Sequence, residues 1–117
     1  MKNFKELRIW QRSHQLVLAI YHSTKGFPKE ETYGLTSQIR RSCTSIPTNI
    51  AEGCGRNSDT ELCRFLVTAM GSASELEYQL LLCYELSYLS TTDYESLSKE
   101  LVEIKKMINI FIQKLGK

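Results

Sequence analysis

The sequence lacks the features that mark most membrane, secreted and disordered proteins. Its 117 residues include only two prolines and six glycines, and 24% of them are charged, so disorder is not expected. No apolar run approaches the roughly 18 residues that a membrane span needs. The first twelve residues, MKNFKELRIWQR, are too polar for a signal peptide. We therefore expect a single cytoplasmic domain over residues 1–117, with no membrane contact.

The residues that usually carry catalysis or bind metal are few and scattered. His14 and His22 are the only histidines, and on one helix they would lie about 12 Å apart, too far to share a metal ion. Cysteines occur singly, without CxxC spacing, at Cys43, Cys54, Cys63 and Cys83. We expect them to be small buried side chains, with a metal or disulfide role as the alternative. There is no glycine-rich phosphate loop, and no nucleophile has a base nearby, so we expect neither an enzyme nor a cofactor.

Strand-like alternation is also missing, and apolar residues recur instead at helical spacing. The pattern predicts four helices, at Phe4–Thr24, Thr32–Cys54, Ser58 onward for about eight turns, and Thr92 to about Leu115. Their short connections favour an all-α fold, an antiparallel up-down-up-down four-helix bundle. Pro47 lies inside the second helix, where it removes a backbone donor, so we expect a kink there.

Helix starts are predicted from capping patterns. Asn3 followed by Glu6 is the expected start of the first helix. Capping boxes at residues 58–61 and 92–95 are the expected starts of the third and fourth helices, with residues 87–91 as the last turn of the third.

Small residues distinguish the middle of the bundle. When the second and third helices are paired around Arg56–Asn57, Ser42 and Cys43 lie near Gly71 and Ser72. We expect the two backbones to approach closely at this level, by tight packing alone. The third helix also carries apolar residues outside its seam, which indicates a contact beyond its own bundle. These residues are Phe65, Met70, Leu81 and Tyr84.

The charge is distributed unevenly along the chain. Residues 1–57 contain nine basic and four acidic residues, a net charge of +5, whereas residues 58–117 contain six and nine, a net charge of −3. Such asymmetry indicates either a basic surface for an anionic partner or complementary surfaces between subunits. The candidate nucleic-acid-binding residues are Lys5, Arg8, Arg12, Arg40, Arg41 and Arg56. A solvated face and a subunit interface are the alternatives for the same residues.

Four segments carry a resemblance to a known family. They are FKELRIW at 4–10, FPKEETYGLTSQIRR at 27–41, SIPTNIAEGCGR at 45–56 and GSASELE at 71–77. In these segments the chain resembles the four helix bundle protein family, which is encoded in intervening sequences of bacterial 23S ribosomal RNA genes and is also called ribosomal-protein-like. Members of that family are similar to the accessory variability determinant of diversity-generating retroelements, a pentameric bundle that binds a reverse transcriptase and nucleic acid.

The resemblance implies a four-helix bundle assembled as a ring-shaped homopentamer. It also implies binding of RNA or DNA through basic residues, and it supplies no catalytic residues. Two hypotheses follow. The protein is either a homo-oligomeric nucleic-acid-binding accessory factor, or a scaffold that docks a protein partner such as a polymerase without touching nucleic acid.

Overall fold

The computed structural model describes residues 2–116, which form four α-helices around one apolar core. Their bounds are α1, Arg8–Thr24; α2, Leu35–Cys54; α3, Asp59–Glu85; and α4, Thr91–Leu115. Short 3₁₀ turns at Phe4–Glu6 and Lys29–Glu31 precede α1 and α2. The prediction of an all-α four-helix bundle is confirmed. Its complete up-down-up-down path and the kink at Pro47 stay predictions, although α2 is helical on both sides of Pro47.

The core is built from aliphatic side chains that recur every three or four residues along each helix. Leu66, Leu76 and Leu80 of α3 are fully buried, as are Leu101 and Ile104 of α4. Three of the five buried polar side chains, Ser13, Thr24 and Ser42, donate to carbonyl oxygens of their own helices, whereas the Thr36 hydroxyl and the Gln79 side-chain carbonyl oxygen have no partner within residues 2–116. Ser13 and Ser42, for example, donate to the carbonyl oxygens of Ile9 and Gln38 at 2.6 and 2.9 Å. The core therefore requires no polar partner from outside the chain at these positions.

The structure corrects two predicted helix starts. The first helix does not run unbroken from Phe4, because Leu7 is extended (φ −82°, ψ 128°) and separates the 3₁₀ turn from α1. Asn3 caps that turn by accepting from the Lys5 N–H at 3.1 Å. The second helix begins at Leu35 rather than Thr32, and the Glu31 carboxylate accepts from the Leu35 N–H at 3.2 Å.

Of the two predicted capping boxes, one is confirmed at its serine and the other is displaced. Ser58 caps α3 by accepting from the Glu61 N–H at 3.2 Å, as expected. The cap of α4 is Ser90, which accepts from the Asp93 N–H at 3.1 Å, so the box proposed at Thr92 is wrong. The predicted last turn of the third helix at residues 87–91 is wrong as well. Since α3 already ends at Glu85, Ser90 lies outside it and is available to cap α4.

The predicted close approach at Gly71 is also wrong. A Cβ placed on Gly71 would meet no atom within 4 Å, because this residue lies on the exposed side of α3. The helices do meet through small residues, but Ser72 pairs with Ser45, their hydroxyl oxygens 2.8 Å apart. The tight contact occurs at Gly53, where a Cβ would lie 2.8 Å from Leu62 Cδ1 and 2.9 Å from Phe65 Cβ. Ser45 therefore meets Ser72, whereas Gly53, later on α2, meets Leu62, earlier on α3, so the two helices run in opposite directions.

Candidate nucleic-acid interface

Three ion pairs occur within residues 2–116, and only one uses a predicted binding residue. Arg12 donates from Nε and Nη2 to the two carboxylate oxygens of Glu100, at 2.9 and 2.6 Å. Its Nη1 contacts the sulfur of Met107 at 3.3 Å, and the hydrogen bonds that Arg12 donates to Glu100 raise the Arg12 pKa. This bidentate geometry ties α1 to α4, so Arg12 is occupied inside the subunit.

Lys5, Arg8 and Arg56 are exposed at one end of the bundle. The Lys2 N–H donates to the carbonyl of Cys54 at 2.8 Å, which brings the start of the chain beside the α2–α3 turn that carries Arg56. The Arg56 guanidinium lies 4.8 Å from the Phe65 ring centroid, and Lys5 Nζ lies 6.0 Å from that of Phe4. Aromatic rings thus support two of the three cations.

Two further basic residues extend this end, and the sequence prediction missed both. Lys114 lines a shallow groove with Arg8, and Arg64 lines a second groove with Arg56. They lie near the end of α4 and the start of α3, and the two grooves show that both belong to the end that carries Arg8 and Arg56. Reading the charges by bundle end, rather than by halves of the chain, could have found them.

Arg40 and Arg41 lie apart from that group, on the α1–α2 side. Arg40 is half-buried and donates from Nε to the Thr24 hydroxyl at 2.9 Å, while its guanidinium covers the Tyr21 ring at 4.5 Å. Arg41 is exposed. Both line a recess of about 470 Å³ whose other walls include Tyr21 and Tyr33. The six predicted residues therefore divide into an occupied Arg12, a basic end and a recess.

The recess has an unusual lining. Two tyrosines, two arginines and four serine or threonine residues surround it, and none of these described residues is acidic. Tyr33 is 97% exposed, so the fold gains almost nothing from its ring. Thr36 is only 8% exposed, and its buried hydroxyl oxygen has no hydrogen-bond partner.

The outward side of α3 forms a second distinctive surface. Residues 67, 71, 74, 78 and 81 follow one another in steps of four and three, so they share the face opposite the core. We call this stripe the α3 outer face. Val67, Tyr78 and Leu81 are exposed on it, and Gly71 lies in open space between them. Of the four residues expected to widen α3, only Leu81 lies there, because Phe65, Met70 and Tyr84 pack within the subunit.

Three of the four cysteines, Cys43, Cys54 and Cys83, are buried as expected, whereas Cys63 is only half-buried, so the expectation is wrong there. Burial raises the pKa of the Cys43 thiol to about 12 and that of the Cys83 thiol to about 11. Thiols with such pKa values stay protonated near neutral pH and are poor nucleophiles and ligands. Across residues 2–116, no three histidine, cysteine or acidic side chains are grouped so that they could hold a metal ion.

None of the helices within residues 2–116 combines the length and the apolar composition that crossing a bilayer requires.

Comparison with known proteins places this geometry in a family. The family model described as "23S rRNA-intervening sequence protein" matches residues 5–110. Among solved structures, the chain is similar to a protein of unknown function from the S23 ribosomal protein family of Bacteroides thetaiotaomicron VPI-5482. The two share 28% sequence identity at a TM-score of 0.83, over 89% of this chain and 97% of that one. No curated protein matches the chain. Because the family model covers nearly the whole sequence, the chain belongs to the 23S rRNA-intervening sequence protein family.

Proposed function

We propose that this protein is a non-enzymatic, homo-oligomeric bundle that binds RNA or DNA in the cytoplasm as an accessory factor, assembled as a pentameric ring. One observation carries the nucleic-acid part of the proposal. Of the six predicted binding residues, only Arg12 forms an ion pair within residues 2–116. The other five cations are not neutralised by an acidic side chain of the same subunit, which leaves them available to an anionic partner.

The basic end is the proposed contact with the phosphate backbone. Arg8 and Arg56 are exposed there, with Lys114 and Arg64 beside them. Contacts of this kind release counterions, so the affinity should fall with salt by a slope of about 0.7 to 0.9 per neutralised phosphate. A slope of that size would distinguish phosphate contacts from a neutral interface.

Binding of labelled RNA and DNA, measured by fluorescence anisotropy over a salt series, tests this part. The double variant Arg8→Glu/Arg56→Glu should abolish binding to both the RNA and the DNA at low salt. Lys99→Glu is the matched control, because Lys99 is exposed on α4 away from the basic end and should leave the affinity unchanged. If the unmodified chain binds neither nucleic acid at low salt, the proposal fails.

The α3 outer face supports self-association. Tyr78 is 62% exposed beside Val67 and Leu81, and such a stripe gains free energy when a second surface covers it. Gly71 would let that surface approach the helix backbone closely. The sequence also supplies opposite charges for a head-to-tail contact, with +5 on residues 1–57 and −3 on residues 58–117. Heterologous contacts between two different patches close into rings, which is how a pentamer forms.

Light scattering tests the assembly. The unmodified chain should have five times the mass of one subunit, and the double variant Val67→Glu/Tyr78→Glu should have a smaller mass. Leu18→Glu is the control, since Leu18 is an equally exposed apolar residue on α1. A monomeric mass for the unmodified chain would contradict self-association.

A protein-docking scaffold is the second candidate, and one groove favours it. The groove that Arg8 and Lys114 border has a volume of about 340 Å³ and is otherwise apolar, lined by Leu7, Ile9, Met107 and Phe111, and Ile110 in it is 52% exposed. Apolar clefts of this kind receive side chains of partner proteins. Affinity capture should recover a partner, such as a polymerase, with the unmodified chain but not with Ile110→Glu. The same proteins from both baits, or none from either, would count against the scaffold.

A further inference from the structure

The recess between α1 and α2 is separate from the basic end, and its lining points to a more specific ligand. Its lining carries positive charge, because Arg40 and Arg41 belong to it and no acidic residue does. Its volume of about 470 Å³ is within the range of small-ligand sites, about 300–1,000 Å³. The positive charge favours an anionic ligand. The volume leaves room for a bulky uncharged part of that ligand beside its charge.

Tyr33 supplies the surface for that uncharged part. Its ring is 97% exposed, so both faces are open to a planar group. Arg40 and Tyr21 form a stacked pair in the same lining, with the Arg40 guanidinium 4.5 Å from the centroid of the Tyr21 ring. The hydrogen bond from Arg40 to the Thr24 hydroxyl holds this pair in place. Aromatic rings and arginine planes are the groups on which unstacked nucleobases lie.

Thr36 supplies a hydrogen-bonding group that the fold leaves unused. It lines the recess, is 8% exposed, and has a hydroxyl oxygen with no partner. A buried hydroxyl without a partner is unfavourable, which makes a ligand-bound partner a gain.

From these features we infer that the recess binds one nucleotide of a single-stranded nucleic acid, with the base on Tyr33 and the phosphate on Arg41. A duplex is not expected to enter, because its bases are stacked and paired. The inference rests on the proposed nucleic-acid binding and adds a strand preference to it. The basic end would contact the backbone of either form, whereas the recess would read only the single strand.

Anisotropy at low salt with one labelled single-stranded RNA, and with the duplex of the same sequence, tests the inference. Tyr33→Leu removes the ring and should weaken single-strand binding about tenfold while leaving duplex binding unchanged. Tyr33→Phe keeps the ring and should bind like the unmodified chain. Arg41→Ala should also weaken single-strand binding, whereas Lys99→Ala should not. Because Tyr33 and Arg41 are exposed, these variants should melt at the temperature of the unmodified chain.

Failure of the inference is distinguishable from failure of the proposed function. Equal single-strand affinity for Tyr33→Leu and the unmodified chain would overturn the recess and leave binding at the basic end intact. No binding of either form by the unmodified chain would overturn both. An acidic peptide that binds more tightly than RNA, and loses affinity in Tyr33→Leu, would identify the recess as a protein site. A changed mass of Tyr33→Leu in light scattering would assign it to a contact between copies and would also overturn the inference.

Discussion

Gly53 and Gly71 both lie within helices, yet their surroundings are opposite. Gly53 faces α3, where a Cβ would lie 2.8 Å from Leu62 and 2.9 Å from Phe65. Gly71 faces outward, where a Cβ would meet nothing within 4 Å. Glycine inside a helix is less favourable than alanine by about 1 kcal/mol. The chain's own packing accounts for Gly53, but nothing among residues 2–116 accounts for Gly71.

This difference separates the molecule into an inner part that the subunit explains and an outer part that it does not. The contact at Gly53, the Arg12–Glu100 pair and the buried thiols belong to the first. Gly71, the exposed Tyr33 and the unpaired Arg8 belong to the second. Residues of the first kind should respond to substitution through stability, and residues of the second kind through binding or assembly.

The largest expected effect is at Gly53, the glycine that packs against α3. Gly53→Ala should lower the free energy of unfolding by about 1–3 kcal/mol, because α2 and α3 must separate to admit the methyl group. Leu62 Cδ1 could move aside, but Phe65 Cβ, 2.9 Å away, is fixed to its backbone. Urea denaturation followed by circular dichroism measures the change.

Gly55→Ala is the matched control, since Gly55 has φ −81° and its added Cβ would keep 3.5 Å from the nearest atom. It should change stability little. Equal stability of Gly53→Ala and the unmodified chain would remove the distinction between the two helical glycines.

The buried thiols give the next effect, through pH. The pKa of Cys43 is raised to about 12 and that of Cys83 to about 11 in the folded state. Above pH 9 the unfolded chain releases these protons while the folded chain retains them, so stability is complete below about pH 9 and falls as the pH rises. We expect a loss of about 3 kcal/mol by pH 10, measured by urea denaturation in reducing buffer.

The variant Cys43→Ala/Cys83→Ala should have a shallower pH dependence, whatever its stability at neutral pH. The half-exposed Cys63, by contrast, should react with a thiol reagent in the native state before the buried cysteines do. Stability of the unmodified chain that stays constant to pH 10 would contradict the assigned burial.

The inner part was largely predictable from the sequence because apolar periodicity is a direct record of burial. Ile39, Ile46 and Ile50, for example, follow one another in steps of seven and four, the spacing of one helix face, and all three are buried. Helix starts were less predictable, since Ser90 and Thr92 are both competent caps and only the end of α3 decides between them. Gly71 was misplaced because a glycine has no side chain whose polarity could indicate which way it faces.

The outer part was predictable in residue type but not in arrangement. Six cations were expected as one set, and the structure divides them because Arg12 meets Glu100, a residue of α4 that is 88 positions away. The recess was not predicted, since it depends on Tyr33 standing clear of the fold beside Arg41. A pair such as Arg12 and Glu100, 88 positions apart, leaves no periodic pattern in the sequence from which it could be predicted. The same is true of the exposure of a single ring such as Tyr33.

A smaller effect distinguishes two arginines four residues apart. Arg12→Ala should lower stability by about 1 kcal/mol, since it removes a bidentate pair that is partly exposed, and should leave nucleic-acid affinity nearly unchanged. Arg8→Ala should do the reverse. A double-mutant cycle of Arg12 with Glu100 in urea denaturation isolates the pair. Loss of affinity without loss of stability in Arg12→Ala would return Arg12 to the binding surface.

The smallest expected effect on stability is at Gly71, the glycine on the outward side of α3, where substitution should stabilise the fold instead of destabilising it. Gly71→Ala should raise the free energy of unfolding by about 0.5–1 kcal/mol, because alanine is the better helix former and its Cβ meets no neighbour. The gain applies to the subunit itself, so it should be measured under conditions in which light scattering shows a single subunit. No gain, or a loss, would mean that Gly71 is closed in by its own chain.

Gly71→Leu then tests what the open space is for. A leucine there projects from the α3 outer face between Val67 and Tyr78, where the subunit has room for it. If a second copy covers this face closely, the variant should stay folded but lose mass in light scattering. If the face is merely solvated, both folding and mass should match those of the unmodified chain. Because the subunit has room for a larger side chain at Gly71, only a contact with another copy can make the leucine unfavourable. A loss of mass in this variant would therefore place Gly71 in the interface between copies, and an unchanged mass would place it on the solvated surface.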